Sequence, residues 1–204
     1  MDAARHGRSS SGAWMLWALA GALVIGGAAL ALRGGAEEGT VLGLRLTARW
    51  SYLWFWLAYT AGAWAALLGP RFHAASARAR DLGLAYAAAH LVHVALVAWL
   101  YRIAAHPPGW RTLAFFGVAV FFTYLLALLS FRRPAAWLPP RALTVVRSVG
   151  VEYIALAFFV DFARDPLRVS LEHALGYGVF LALGVLAYAL RVAAVVRRLR
   201  SAPA

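Results

Sequence analysis

Between Asp81 and Arg102 lie twenty residues, LGLAYAAAHLVHVALVAWLY (82–101), with no Asp, Glu or Arg and with two histidines, His90 and His93. A helix rises 1.5 Å per residue, so twenty residues cover about 30 Å, the thickness of a bilayer's hydrocarbon core. This stretch reads as a transmembrane helix. Around it the spacing predicts five more: 13–32, 50–69, 110–131, 142–163 and 173–196, with the quoted span extended to 82–105. The expected fold is all-α: a polytopic membrane protein, a bundle of six transmembrane helices over 13–196, with short tails at 1–12 and 197–204. The fifth span is the weakest, because it carries Arg147, Glu152 and Asp161.

Composition agrees with the spans. Of 204 residues, 63% are hydrophobic and 14% charged, against roughly 25% charged in a soluble globule. The first span follows Arg5 and Arg8, as a secretory signal does. Its twenty-residue apolar run exceeds the roughly 7–15 of a signal core, so it is expected to stay in the protein. No Cys is present, which excludes disulfides, thiolate metal sites, iron–sulfur clusters and Cys nucleophiles. All 20 basic residues are Arg and the net charge is +12. No basic face outside the spans is long enough to follow a phosphate backbone, so nucleic acid is not an expected partner; the bilayer is.

Arginine distribution predicts orientation. With six spans, thirteen arginines fall on the side of the two termini (Arg5, Arg8, Arg71, Arg78, Arg80, Arg132, Arg133, Arg141, Arg147, Arg191, Arg197, Arg198, Arg200) and seven on the other. Positive loops stay inside, so both termini are expected in the cytoplasm and the chain in the cytoplasmic (inner) membrane. Trp14, Trp17, Trp50, Trp99, Trp110 and Trp137 lie near span ends, where amphipathic rings suit the headgroup layer. Trp54, Trp56 and Trp64 lie deeper, to pack against a neighbouring helix, the favoured reading, or against a flat cofactor. Ala18, Ala22 and Gly26 on the first span, and Ala174, Gly178 and Ala182 on the last, are spaced for close helix approach.

An ionisable side chain inside a membrane needs a partner or a purpose. His90 and His93 sit near the middle of their span, three residues apart and so on broadly one face. Two readings compete: imidazoles bonded to neighbouring helices, favoured by the residue chemistry alone, or an axial haem ligand. One helical turn cannot offer imidazoles to both faces of one porphyrin, so a bis-His site needs another helix. Glu152 and Asp161, nine residues apart, face opposite ways; they are not a paired-carboxylate site. Glu152 is expected to pair with Arg147 or with an arginine of another span, ahead of a proton-relay role. His106 and His173 fall near the outer surface; His6 and His73 receive no role. No P-loop, Rossmann glycine fingerprint or G-x-S-x-G elbow occurs, so electrons in any redox role come from a redox partner protein or a membrane quinone.

The run RARDLGLAYAAAHLVHVAL (78–96), the segment LLALLS (125–130) and the basic loop after it resemble the ferric reductase-like transmembrane family. That family includes the haem-binding membrane subunit of the bacterial periplasmic methionine sulfoxide reductase system. The resemblance covers roughly 78–165. It implies an electron-transfer subunit with b-type haem and no nucleotide-binding domain of its own. Ten residues after Gly83, His93 takes the place of the iron-ligating histidine, with His90 an extra. The family's fifth span carries two further histidines; with Tyr153 aligned to the family's aromatic, those places hold Val149 and Phe162. The usual bis-His pair is therefore not assembled, and His173 is left as the candidate second ligand. The alternative reading is a haem-free membrane scaffold or accessory subunit of a larger complex. A transporter finds no support, since no pair of spans is broken by Gly or Pro.

Overall fold

The computed structural model describes residues 3–131, 135–163 and 171–201, with side chains from residue 11 onward except at 171–175. Among the described residues seven α-helices follow in order: α1 (Ala3–Arg33), α2 (Glu37–Leu68), α3 (His73–Ala77), α4 (Ala79–Ile103), α5 (Trp110–Leu128), α6 (Pro140–Ala163) and α7 (Leu171–Arg200). The described residues contain no strand. Helix α1 already starts inside the stretch expected to be a tail. Gly34 and Gly69 adopt positive φ (79° and 83°), a conformation glycine reaches without a Cβ penalty. Each ends a long helix there; the Gly69 N–H bonds the Ala65 carbonyl at 3.2 Å, and Pro70 follows.

Among the described residues five helical segments are long and apolar enough to cross a membrane: Ser11–Arg33, Ala79–Ile103, Trp110–Leu128, Pro140–Ala163 and Gly176–Arg200. The chain is thus an all-helical protein with the composition of a multi-pass membrane protein. The doubtful fifth span is among them. The expected second span, 50–69, is not, and on apolarity alone the six-helix count falls to five. The reason lies in the place α2 occupies. Helix α2 packs against α1, α4 and α7 and buries Thr40, Thr47, Ser51 and Thr60 completely. A helix surrounded by other helices needs less apolar surface than one facing lipid. Its hydroxyls are satisfied along its own backbone, Thr47 Oγ1 to the Gly43 carbonyl at 2.7 Å and Ser51 Oγ to the Thr47 carbonyl at 2.6 Å.

The helices alternate in direction. Ser11 at the start of α1 donates to Asp81 at the start of α4 (2.5 Å), whereas Trp99 near the end of α4 donates to the Gly35 carbonyl in the α1–α2 turn (3.3 Å). Helices α1 and α4 meet through alanine: Ala18, Ala22, Ala85 and Ala89 are wholly buried together. Trp50 closes this contact by donating to the Ala18 carbonyl at 2.8 Å. The close-packing face expected on the last span is not used: Ala182 is exposed and nothing lies within 4 Å of a Cβ built on Gly178. The Ala174 side chain lies outside the described residues. An aromatic cluster of Tyr52, Phe55, Tyr59, Tyr86, Phe158 and Phe162 joins α2 to α4 and α6. The deep tryptophans pack as expected, Trp54 edge-on to Trp14 and Trp50, and Trp56 to Trp64.

Glu152 of α6 pairs with Arg191 of α7 at 2.5 Å and accepts from the Tyr59 hydroxyl of α2 at 2.7 Å. The Arg191 guanidinium also lies 4.3 Å from the Tyr59 ring centroid. Of the two expected partners, the arginine of another span is the one found; Arg147 bonds the Leu129 carbonyl at 3.0 Å instead. Arg191→Ala leaves the carboxylate with the tyrosine alone. Both side chains are about four-tenths accessible (39% and 43%), so the expected loss is about 1–3 kcal/mol, below the ~3–5 kcal/mol of a fully enclosed pair. It reads out as a lowered unfolding midpoint in detergent, partly restored by adding Glu152→Gln; an unchanged midpoint would show the pair to be idle.

Candidate functional site

A largely apolar cavity of about 510 Å³ lies between α2, α4, α5 and α6. Helix α4 supplies Tyr86, His90, His93, Val94 and Val97; α5 supplies Leu113, Phe116, Gly117 and Val120; α6 supplies Ile154, Phe158 and Asp161; α2 adds Leu44 and Ala48. Tyr101, Pro108 and Thr112 line it at the α4–α5 end, while His90 and Tyr86 lie towards the middle of α4. The cavity therefore runs from the α1–α2 turn end of the bundle towards its middle. It exists because α5 rests mainly on α6 and meets α4 only sparingly.

The two imidazoles sit side by side on its wall, ring centroids 5.0 Å apart and planes inclined by 20°. Their three-residue spacing on α4 produces this stacking. His93 Nδ1 lies 3.3 Å from Thr47 Oγ1. That hydroxyl has one proton, and the shorter bond to the Gly43 carbonyl at 2.7 Å uses it. With that proton so used, Thr47 is placed to accept from His93, an arrangement that assigns the imidazole proton to Nδ1 and leaves the Nε2 lone pair available. A ligating histidine is commonly held this way, with its other ring nitrogen donating to an oxygen. Thr47 is fully buried, and no spacing or motif marks it in the sequence; only the packing of α2 on α4 brings it to His93.

His90 is buried between Tyr86 (5.3 Å) and Phe158 (6.1 Å), and its Nδ1 has no hydrogen-bond partner. An unpaired buried nitrogen costs about 1–3 kcal/mol, so this wall favours an occupant with a polar group. Tyr86 differs, its hydroxyl bonded to Thr123 of α5 at 2.9 Å.

The remaining candidates are not gathered here. His106 is exposed in the α4–α5 turn and is not part of the lining. The His173 side chain lies outside the described residues, as does that of His6. Val149 and Phe162, the places where the family resemblance expects imidazoles, point apart: Val149 is exposed and Phe162 is buried in the aromatic core. Among the described residues no three His, Cys, Asp or Glu side chains gather to hold a metal ion. The site thus offers one imidazole with a fixed tautomer, fit for one axial bond to a planar iron cofactor, and no imidazole facing it across the cavity among the described side chains. No family model, curated protein or solved structure matches the chain.

Thr47→Val keeps the shape and removes the acceptor. The imidazole proton of His93 is then free to shift between nitrogens. In ¹⁵N-histidine NMR the single Nδ1–H signature of the parent is expected to give way to a tautomer mixture. The same mixture in the parent chain would show that Thr47 does not set the ring.

Proposed function

We propose that this chain is a six-span protein of the cytoplasmic membrane, both termini inside, that carries electrons through a b-type haem held by His93. One observation carries the reading: His93 has its Nδ1 engaged by Thr47 and lines an apolar cavity beside a second imidazole whose Nδ1 lacks a hydrogen-bond partner. The sixth span is α2. Its 32 residues give about 48 Å of helix, and its central position supports a crossing that its own apolarity does not. The uneven arginine distribution supports the orientation.

When bound, haem supplies reversible one-electron chemistry; the rest falls to the chain. His93 would hold the iron through Nε2, with Thr47 keeping the imidazole proton on Nδ1. Val94, Phe116, Ile154 and Phe158 would exclude water and lower the local dielectric, which would tune the potential of the bound group. Electrons would arrive from a redox partner protein or a membrane quinone.

One observation favours the second reading, a haem-free scaffold or accessory subunit: the two described cavity imidazoles come from the same turn of α4. On that reading His93 joins α4 to α2 and His90 packs α4 against Phe158 of α6. A visible absorption spectrum of the purified protein separates the two. A Soret band that His93→Ala abolishes and His90→Ala retains is expected; a colourless, well-folded protein removes the haem reading. For the six-span topology, a reporter fused after Ala204 is expected to be active only in the cytoplasm, and periplasmic activity would overturn it.

A further inference from the structure

A second cavity, of about 440 Å³, opens at the other end of the bundle, where α2 and α7 finish and the short α3 begins. Its floor is small and apolar, with Gly62 and Ala66 of α2, and its rim is polar, with His73 and Ser76 of α3 and Arg197 and Arg198 of α7. No acid lines it. The described acids nearest this end are committed elsewhere, Asp81 to Ser11 and Glu152 to Arg191. Arg197 spends one N–H on the Leu67 carbonyl at the end of α2 (2.5 Å), which leaves the rest of its five donors free to turn to a ligand. Two helix C-termini bring about half a negative charge each. Two guanidiniums outweigh them, so the rim remains net positive.

We infer that this cavity binds the headgroup of an anionic glycerophospholipid, its phosphate on Arg197 and Arg198 and the start of an acyl chain along Gly62 and Ala66. The combination of parts selects a lipid over a free anion. The arginines stand where the apolar stretch of α7 ends, at headgroup level in the six-span reading on which this inference rests; it does not depend on haem. The floor residues precede the end of α2 by two to six positions, about 3–9 Å deeper along the helix. Nothing lies within 4 Å of a Cβ built on Gly62, so the floor is open. Basic recesses between helices on the cytoplasmic side are suited to anionic lipid headgroups.

The probe is phosphatidylglycerol, with phosphatidylcholine as the neutral comparison, and retained lipid is counted by native mass spectrometry of the full chain in detergent. One phosphatidylglycerol is expected to be retained in preference to phosphatidylcholine. Arg197→Gln with Arg198→Gln should weaken that retention about tenfold or more, while Arg200→Gln, on the same helix but outside the cavity, leaves it unchanged. Because Arg197 also caps α2, Gly62→Leu provides a test that alters no charge: it fills the floor and should likewise release the lipid. Equal retention of the two lipids by the parent chain would overturn the inference. So would undiminished retention in either cavity variant, or an equal loss in Arg200→Gln. Displacement of the lipid by millimolar inorganic phosphate would also overturn it, by showing a free-phosphate site.

Discussion

Nearly every polar group that α2 buries is answered by protein, the Trp54 indole N–H being the exception, because α2 is enclosed by other helices for most of its length. In such surroundings an unanswered hydroxyl or indole N–H is costly, and the answers fix the neighbours in place. Trp50 reaches the α1 backbone at Ala18, Trp56 the α7 backbone at Leu183, Tyr59 the carboxylate of α6, and Thr47 the imidazole of α4. Four helices are thus registered against one. Apolar contact supplies the attraction, with aromatic rings on one side of α2 and the alanine seam of α1 and α4 on another. The hydrogen bonds decide the register, since sliding a helix by one turn would strand several of them together.

The candidate site follows from this arrangement. His93 meets Thr47 because α4 lies close on α2, and that closeness traces back to small residues: a Cβ on Gly43 would stand 3.2 Å from Leu96. The cavity opens beside this contact, bounded by Leu44 and Ala48 of α2 and reaching towards α5, which is held loosely. One helix therefore presents a fixed imidazole on a tightly packed face next to empty space on a loose one. Ligation needs both, a rigid donor and room for what it holds.

Most of the bundle was legible from the sequence, because uncharged runs such as 82–101 report directly on bilayer crossing. The second span was read within α2, which lacks the apolarity of the other five for an instructive reason. Hydropathy measures how well a helix suits lipid, and the helix most enclosed by protein is the one that departs furthest from that pattern. Trp50, Tyr52, Trp54, Trp56, Tyr59 and Trp64 score as poor lipid-facing residues yet make the centre of the fold. The pairing of His90 with His93 followed from their three-residue spacing. Thr47 did not, since a contact across 46 positions leaves no local trace. Glu152 was recognised as needing a cation; its partner was narrowed only to a set, because helix order in the sequence does not state which helices touch.

The weak seating of α5 has a mechanical consequence. A bulky flat guest cannot pass through a tightly interlocked bundle without disrupting it. Here the seam between α4 and α5 is sealed by few interdigitated side chains, and Ala119 and Thr123 are the deeply buried positions of α5. Parting that seam requires a tilt of one helix on its α6 neighbour, while the α1–α2–α4 unit stays whole. Were the proposed haem bound here, lateral admission from the lipid side would be the route this seam leaves open, and the same looseness would set how firmly it is kept.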